Sequence, residues 1–111
     1  MVEVEVGGCT QLAVVDTGAQ ITVLSEAMVE RIGIPPEVLA GLPTAKLRGF
    51  GRDGIVEGKR GICVKFRVGS REIKWPVFIA PARDDVLLGL DFLMAVDATV
   101  KARGGLWVDA S

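Results

Sequence analysis

The stretch that decides the fold of this chain is Leu12-Ala13-Val14-Val15 followed directly by Asp16-Thr17-Gly18-Ala19, and it occurs once. The apolar run is typical of a buried strand, and the residues after it place a carboxylate, a hydroxyl and a glycine at the strand's end. A charged side chain rarely lies beside a core without a partner or a function. Because Asp-Thr-Gly is also favourable turn chemistry, the tripeptide alone fits a structural turn as well as a reactive carboxylate.

A second apolar run that ends in glycine, Val86-Leu87-Leu88-Gly89, stands much later and leads into Asp91-Phe92-Leu93-Met94. In this order, the two motifs resemble those of the retropepsin-like aspartic proteases of retroviruses, retrotransposons and some cellular proteins. Members of that family carry one aspartate per chain and assemble the active site from two chains. The resemblance extends from about residue 2 to residue 108.

The resemblance implies that Asp16 is the catalytic residue and that Thr17 hydrogen-bonds across the two-fold axis of a homodimer. Gly18 would permit the turn of the active-site loop, and Ala19 would lie along the floor of the substrate cleft. Two carboxylates about 3 Å apart share a proton, as is known for aspartic proteases in general, so one acts as base and the other as acid. The implied activity is an aspartic endopeptidase without a metal or other cofactor, which processes a viral or retrotransposon polyprotein.

A glycine-rich segment, Gly49-Phe50-Gly51-Arg52-Asp53-Gly54, fits the spacing of a dinucleotide-binding loop. That site needs a helix after the last glycine, and the β-branched, glycine-containing residues 55–61 predict none. A hairpin is the better interpretation. By resemblance it is the flap, whose residues Gly49, Phe50 and Gly51 contact an extended peptide that binds as an added strand. An exposed hairpin without a function is the alternative.

The resemblance assigns further residues around the cleft and the dimer axis. Leu87 would contact substrate while Leu88 faces the core, because neighbouring residues of a strand point to opposite sides. The dimer interface would contain Thr17 together with a last strand, Leu106, Trp107 and Val108. These three residues would carry most of the interface, because nothing resembling the N-terminal interface strand of retroviral enzymes precedes the first hairpin.

Three departures from the retroviral pattern motivate an alternative hypothesis: the missing N-terminal interface strand and two differences next to the motifs. Gln20-Ile21 stands where retroviral enzymes usually have acidic residues, and Leu90-Asp91 stands where they commonly have arginine. Leu90-Asp91 is similar to the residues that retrotransposon or cellular members of the family have at this place. The alternative hypothesis is therefore a non-catalytic dimeric peptide-binding module of the same fold.

The composition of the chain limits its chemistry and its partners. Its 111 residues, half of them hydrophobic, predict one domain over residues 1–111. The absence of histidine excludes Ser-His-Asp triads and histidine-ligated metals, and the two cysteines, Cys9 and Cys63, are too few for a disulfide framework. A net charge of −1 argues against nucleic acid as partner. With no signal peptide or membrane-spanning run visible, we expect a location in the cytoplasm or within virus-like particles.

Hydrophobic alternation predicts short strands separated by glycine turns. The predicted strands cover residues 2–6, 10–15, 21–24, 62–68, 73–79 and 106–108. Ser25 is predicted to cap a helix over residues 26–32 that Gly33 ends, and a second short helix is predicted to begin at Asp91. Residues 35–43 are predicted to form a loop. Together these features predict an all-β, closed-barrel-like retropepsin fold with one or two short helices and a flap hairpin.

Overall fold

Strands predominate in the computed structural model, which describes residues 1–48, 54–96, 98–100 and 106–108. Three short helices connect or follow the strands. In chain order the elements are β1 (Val2–Val6), β2 (Cys9–Val15), β3 (Val23–Ser25), α1 (Glu26–Arg31), α2 (Pro36–Ala40), β4 (Thr44–Arg48), β5 (Ile55–Val68), β6 (Arg71–Ala80), β7 (Val86–Leu88), α3 (Leu90–Ala95), β8 (Ala98–Val100) and β9 (Leu106–Val108).

Six strands close into a barrel in the order β1, β2, β7, β3, β6 and β5, and a short pairing of β1 with β5 completes the ring. β4 extends the sheet outward from β5. Tight hairpins at Gly7-Gly8 and Gly69 use positive φ angles of 55°, 88° and 61°, which glycine adopts at little cost. The predicted all-β, closed-barrel-like architecture is confirmed, and the described residues contain three short helices where one or two were predicted.

The core lies inside this barrel and follows the predicted alternation. Phe66 of β5 and Phe92 of α3 are fully buried, and their ring centroids lie 4.8 Å apart. Trp75 packs edge-on against Phe92 with centroids 6.4 Å apart. The inward residues of the long β5–β6 hairpin surround these rings, and they include Val64, Val68, Val77 and Ile79.

The predicted helix after Ser25 is confirmed, since the Ser25 hydroxyl accepts a hydrogen bond from the Met28 backbone N–H at 3.0 Å. The predicted helix near Asp91 is also present as α3. The loop prediction for residues 35–43 was wrong in part, because α2 lies within it. Pro36 occupies the first turn of α2, where its missing N–H costs nothing, and none of the α2 residues is buried. No apolar stripe therefore marked α2 in the sequence.

The last described strands form a separate two-stranded sheet. β8 pairs antiparallel with β9, and Thr99 lies opposite Trp107. The predicted strand at residues 106–108 is confirmed, whereas its partner β8 was not predicted. None of the helices in the described segments is long and apolar enough to span a membrane.

Candidate active site

The two motifs singled out in the sequence lie side by side. β2 pairs in parallel with β7, so that Val14 lies opposite Leu87 and Val15 opposite Leu88. At the end of β2, the Asp16 backbone N–H donates to the Leu88 carbonyl at 3.1 Å. The barrel thus places the Asp16 loop at the end of β7.

The loop that follows β2 presents the Asp16 carboxylate at the surface. The Gly18 N–H donates to Asp16 Oδ1 at 2.9 Å, and the Ala19 N–H donates to the Asp16 carbonyl at 3.2 Å. Asp16 is half-buried, whereas Thr17 and Gly18 are exposed. A Cβ at position 18 would lie 3.2 Å from Asp16 Oδ1, so glycine gives the carboxylate its space. Within the described part of the chain, no protein donor bonds the second oxygen, Oδ2.

A buried polar network holds the far end of this loop. Thr22 is fully buried, and its hydroxyl donates to Asp91 Oδ1 at 2.9 Å while accepting from the Gly89 N–H at 3.1 Å. The Trp75 indole N–H donates to the other Asp91 oxygen, Oδ2, at 2.8 Å. Asp91 therefore connects the loop, α3 and β6. Hydrogen bonds to a charged acceptor are among the stronger ones in proteins.

The backbone of the loop also packs directly on the start of α3. The Leu90 N–H donates to the Ala19 carbonyl at 2.8 Å, and the Asp91 N–H donates to the Gln20 carbonyl at 3.3 Å. A Cβ at Gly89 would lie 2.3 Å from the Ile21 carbonyl oxygen, which no real side chain tolerates. Gly89 is therefore required at this position, because no larger residue would fit against the Ile21 backbone. This packing also explains why β3 begins at Val23, two residues later than predicted.

An apolar surface flanks the loop on one side of β7. Leu87 is 8% exposed and belongs to a second apolar cluster with Val23, Phe78 and Ala80, whereas Leu88 is fully buried in the barrel core. The two leucines therefore face opposite sides, as predicted. Half-buried apolar residues of the loop and of the β4–β5 hairpin pack against this second cluster, and they include Ala19, Ile21, Ala45, Leu47 and Val56.

The predicted hairpin is present beside this cluster. β4 pairs antiparallel with β5, and Arg48 opposite Ile55 is the last pair described. The predicted substrate-binding residues Gly49, Phe50 and Gly51 lie outside the described residues. Their position in the chain, between the ends of two paired strands, agrees with the hairpin prediction.

Comparison with known proteins agrees with this arrangement. Residues 2–95 match the family described as "gag-polyprotein putative aspartyl protease". The chain belongs to this family of retroviral-type aspartyl proteases. It is 31% identical over 102 residues to DNA damage-inducible protein 1 of Eremothecium gossypii, with 89% of the chain and 20% of that relative covered. The chain thus spans about a fifth of the length of that curated relative.

A solved structure supports the fold of this aspartyl protease family member. The retroviral protease-like domain of Ddi1 from Leishmania major superposes on the chain with a TM-score of 0.71 and 21% sequence identity. The match covers 97% of this chain and 86% of the other. At this identity the likeness concerns the fold alone.

The sequence analysis did not predict the hydrogen-bond network around Asp91. Thr22 and Trp75 were not recognised as partners of Asp91. One signal for Thr22 was its hydroxyl within an otherwise apolar segment, residues 21–24. The signal for Asp91 was its place in the segment where retroviral relatives commonly carry arginine. The predicted interface residues Leu106, Trp107 and Val108 form β9, and their place in a dimer stays a prediction.

Proposed function

We propose that the chain is one half of a homodimeric aspartic endopeptidase and that Asp16 is its catalytic residue. One observation carries this proposal: a half-buried carboxylate at the end of β2 lies in a loop that a buried network clamps to the second motif. A clamped loop suits catalysis because reacting groups must be held within a fraction of an ångström of their working positions. Membership of the aspartyl protease family supports the same proposal.

The proposed reaction needs the Asp16 carboxylates of two copies about 3 Å apart, sharing one proton. The ionised carboxylate takes a proton from a water molecule, whose oxygen attacks the scissile carbonyl carbon. The protonated carboxyl gives its proton to the leaving amine nitrogen as the C–N bond breaks. The Gly18 N–H on Oδ1 would orient each carboxylate, and Oδ2 would remain open to the water.

The proposed substrate is an extended peptide that lies between the Asp16 loop and the β4–β5 hairpin. Ala19 and Leu87 would contact its side chains, and Gly49, Phe50 and Gly51 would cover it. In the dimer we assign Thr17 a bond across the two-fold axis and β9 a place in the interface. Processing of a polyprotein is the finer hypothesis, and the name of the matching family supports it.

Peptide turnover by matched variants tests the catalytic assignment. We expect Asp16→Asn to lower kcat by about a thousandfold, because one general acid–base group is lost from each half of the site. Asp84→Asn makes the same chemical change at a half-buried position outside the site and should leave kcat unchanged. Equal turnover by the Asp16→Asn and parent proteins would contradict the proposal.

The same experiment decides between the enzyme and the non-catalytic peptide-binding module. Gln20 and Leu90, both exposed, stand where retroviral enzymes carry charged residues, and this difference motivates the second candidate. Saturable binding of peptides without turnover by the parent protein would favour the binding module. Turnover that depends on Asp16 would exclude it.

A further inference from the structure

The β4–β5 hairpin leaves the barrel at Lys59. Among the described strand pairs, Lys59 is the one residue of β5 that lies opposite both β4 and β6. A β-bulge follows, because β5 has one more residue than β6 between Lys59 and Ile62, and bulges bend the strand that contains them. The two arms of the hairpin, residues 44–48 and 55–58, pair with each other beyond this point. Lys59 is therefore the residue at which the hairpin joins the sheet of the barrel.

Three hydrogen bonds fasten the start of β4 to this point. The Lys59 ammonium donates to the Leu42 carbonyl at 3.3 Å and to the Thr44 hydroxyl at 3.2 Å. The Arg60 backbone N–H donates to the Pro43 carbonyl at 3.1 Å. Two of the three bonds therefore depend on a single side-chain nitrogen, which reaches from β5 to the residues on both sides of Pro43.

The surroundings of the Lys59 ammonium indicate that these bonds are its role. Lys59 is half-buried, and Glu26 and Glu57 line the cavity beside it. In the described part of the chain, neither carboxylate lies within 4.0 Å of the Lys59 nitrogen. Removing an ammonium from water is unfavourable unless its hydrogen bonds are replaced. Here two oxygens at the start of β4 replace them, whereas a methionine would fill the same space and leave β4 unfastened.

On its other face the hairpin contacts β6 directly. A Cβ at Gly58 would lie 2.3 Å from the Ile79 carbonyl oxygen and 2.8 Å from the Phe78 ring, so only glycine allows this contact. Neighbouring residues of a strand point to opposite sides, and Gly58 is next to Lys59. The ammonium bonds on one face and the glycine contact on the other together fix the angle at which the arms pass over the second apolar cluster.

We infer that Lys59 is a positioning residue of the proposed active site, because its ammonium sets the gap between the β4–β5 hairpin and the Asp16 loop. The inference rests on the proposed function, which assigns that gap to an extended peptide. With the two ammonium bonds in place, the arms are already ordered when the peptide arrives. Without these bonds the peptide must order the arms as it binds, and part of its binding free energy is lost.

Kinetics of a methionine variant test the inference. Lys59→Met keeps the apolar stem of the side chain and removes the donor. With a peptide selected by turnover from a random library, we expect Lys59→Met to raise KM by about threefold or more and to leave kcat within about twofold, because Asp91 holds the Asp16 loop separately. Lys59→Arg can still donate to both oxygens and should keep KM within about twofold of the parent value.

Hydrogen exchange gives a readout that does not depend on activity. The amides of residues 44–48 and 55–58 should exchange faster in Lys59→Met than in the parent, whereas those of β1 and β2 should not change. A general loss of stability would instead speed exchange in both regions. Lys74→Met makes the same chemical change at an exposed position of β6 outside the hairpin, and it should alter neither KM nor exchange.

The two readouts keep the inference apart from the proposed function. An unchanged KM in Lys59→Met, or an equal rise in Lys74→Met, would overturn the inference while Asp16-dependent turnover stands. If the parent cleaves no library member, anisotropy of the fluorescein-labelled library replaces KM. Weaker binding by Lys59→Met, with faster exchange confined to the hairpin, would then sustain the positioning role and reject the enzyme. A library that is neither bound nor cleaved would overturn both.

Discussion

At the scale of single residues, Asp91 makes the contacts with the widest consequences for the site. Its carboxylate satisfies the fully buried Thr22 hydroxyl and the Trp75 indole, which come from two different parts of the barrel. Removing the acceptor would leave both donors without their partner. An unsatisfied buried polar group costs about 1–3 kcal/mol.

We therefore expect Asp91→Ala to lower the free energy of unfolding by about 1–3 kcal/mol and to lower kcat through the displaced Asp16 loop. Asp91→Asn should cost less, because its amide oxygen can still accept from one of the two donors, whereas Ala leaves both without an acceptor. Urea unfolding and peptide turnover measure the two effects. Equal losses for the Ala and Asn variants would show that the carboxylate's hydrogen bonds do not matter.

A second prediction at this scale concerns Gly89. Its φ of −84° is one that any residue can adopt, but a Cβ at this position would collide with the Ile21 backbone. Gly89→Ala would force the Ile21 backbone away and should cost about 2 kcal/mol or more, as overpacking does. Gly41→Ala is the control, since a Cβ there meets atoms no closer than 3.7 Å at a φ of −83°. We expect this control to melt at or slightly above the parent temperature. An unchanged melting temperature for Gly89→Ala would contradict the steric argument.

At the scale of elements, the junction of β3 with α1 depends on Ser25, which is 4% exposed. Its hydroxyl caps α1 through the Met28 N–H and donates to Asp85 Oδ1 at 2.8 Å, while its own N–H donates to the Asp85 carbonyl at 3.0 Å. The cap thus fastens α1 to the segment that enters β7. The Arg31 guanidinium, 3.6 Å from Asp85 Oδ2, adds an exposed ion pair of small value.

Ser25→Ala should lower the free energy of unfolding by about 1–2 kcal/mol, because both the cap and the bond to Asp85 are lost. Thermal unfolding followed by circular dichroism measures this change. Thr10→Ala, which removes an exposed hydroxyl from β2, should change stability by less than about 0.5 kcal/mol. A loss at Ser25 no larger than that at Thr10 would argue that solvent replaces the cap.

At the scale of the whole molecule, the proposed chemistry needs two copies, so activity should follow the dimer fraction. Sedimentation and peptide turnover over one concentration series should give the same midpoint. Mixing gives a sharper test. In an equimolar mixture of parent and Asp16→Asn protein, random pairing leaves about a quarter of the dimers with two intact carboxylates, so parent activity should halve. Activity that is additive on mixing would mean that each chain works alone.

Much of the fold was accessible from the sequence because its signals are local. Alternation of apolar residues predicted the inward faces of β5 and β6, and glycines at positive φ marked the hairpins between the strands. α2 was missed because Leu39 is its one residue that packs against the core, and a single apolar contact makes no stripe to detect. Local patterns report burial, so an element that buries part of a single residue leaves no periodic pattern.

The sequence by itself determined the strands, the order of the two motifs and the presence of one Asp-Thr-Gly carboxylate at the end of an apolar strand. Only the tertiary structure decided that Thr22 and Trp75 meet at Asp91 and that Gly89 packs on Ile21. The physical reason is the large sequence separation between the contacting residues: Thr22 and Asp91 are 69 residues apart in the chain. Such contacts depend on how the barrel closes, which no local periodicity encodes.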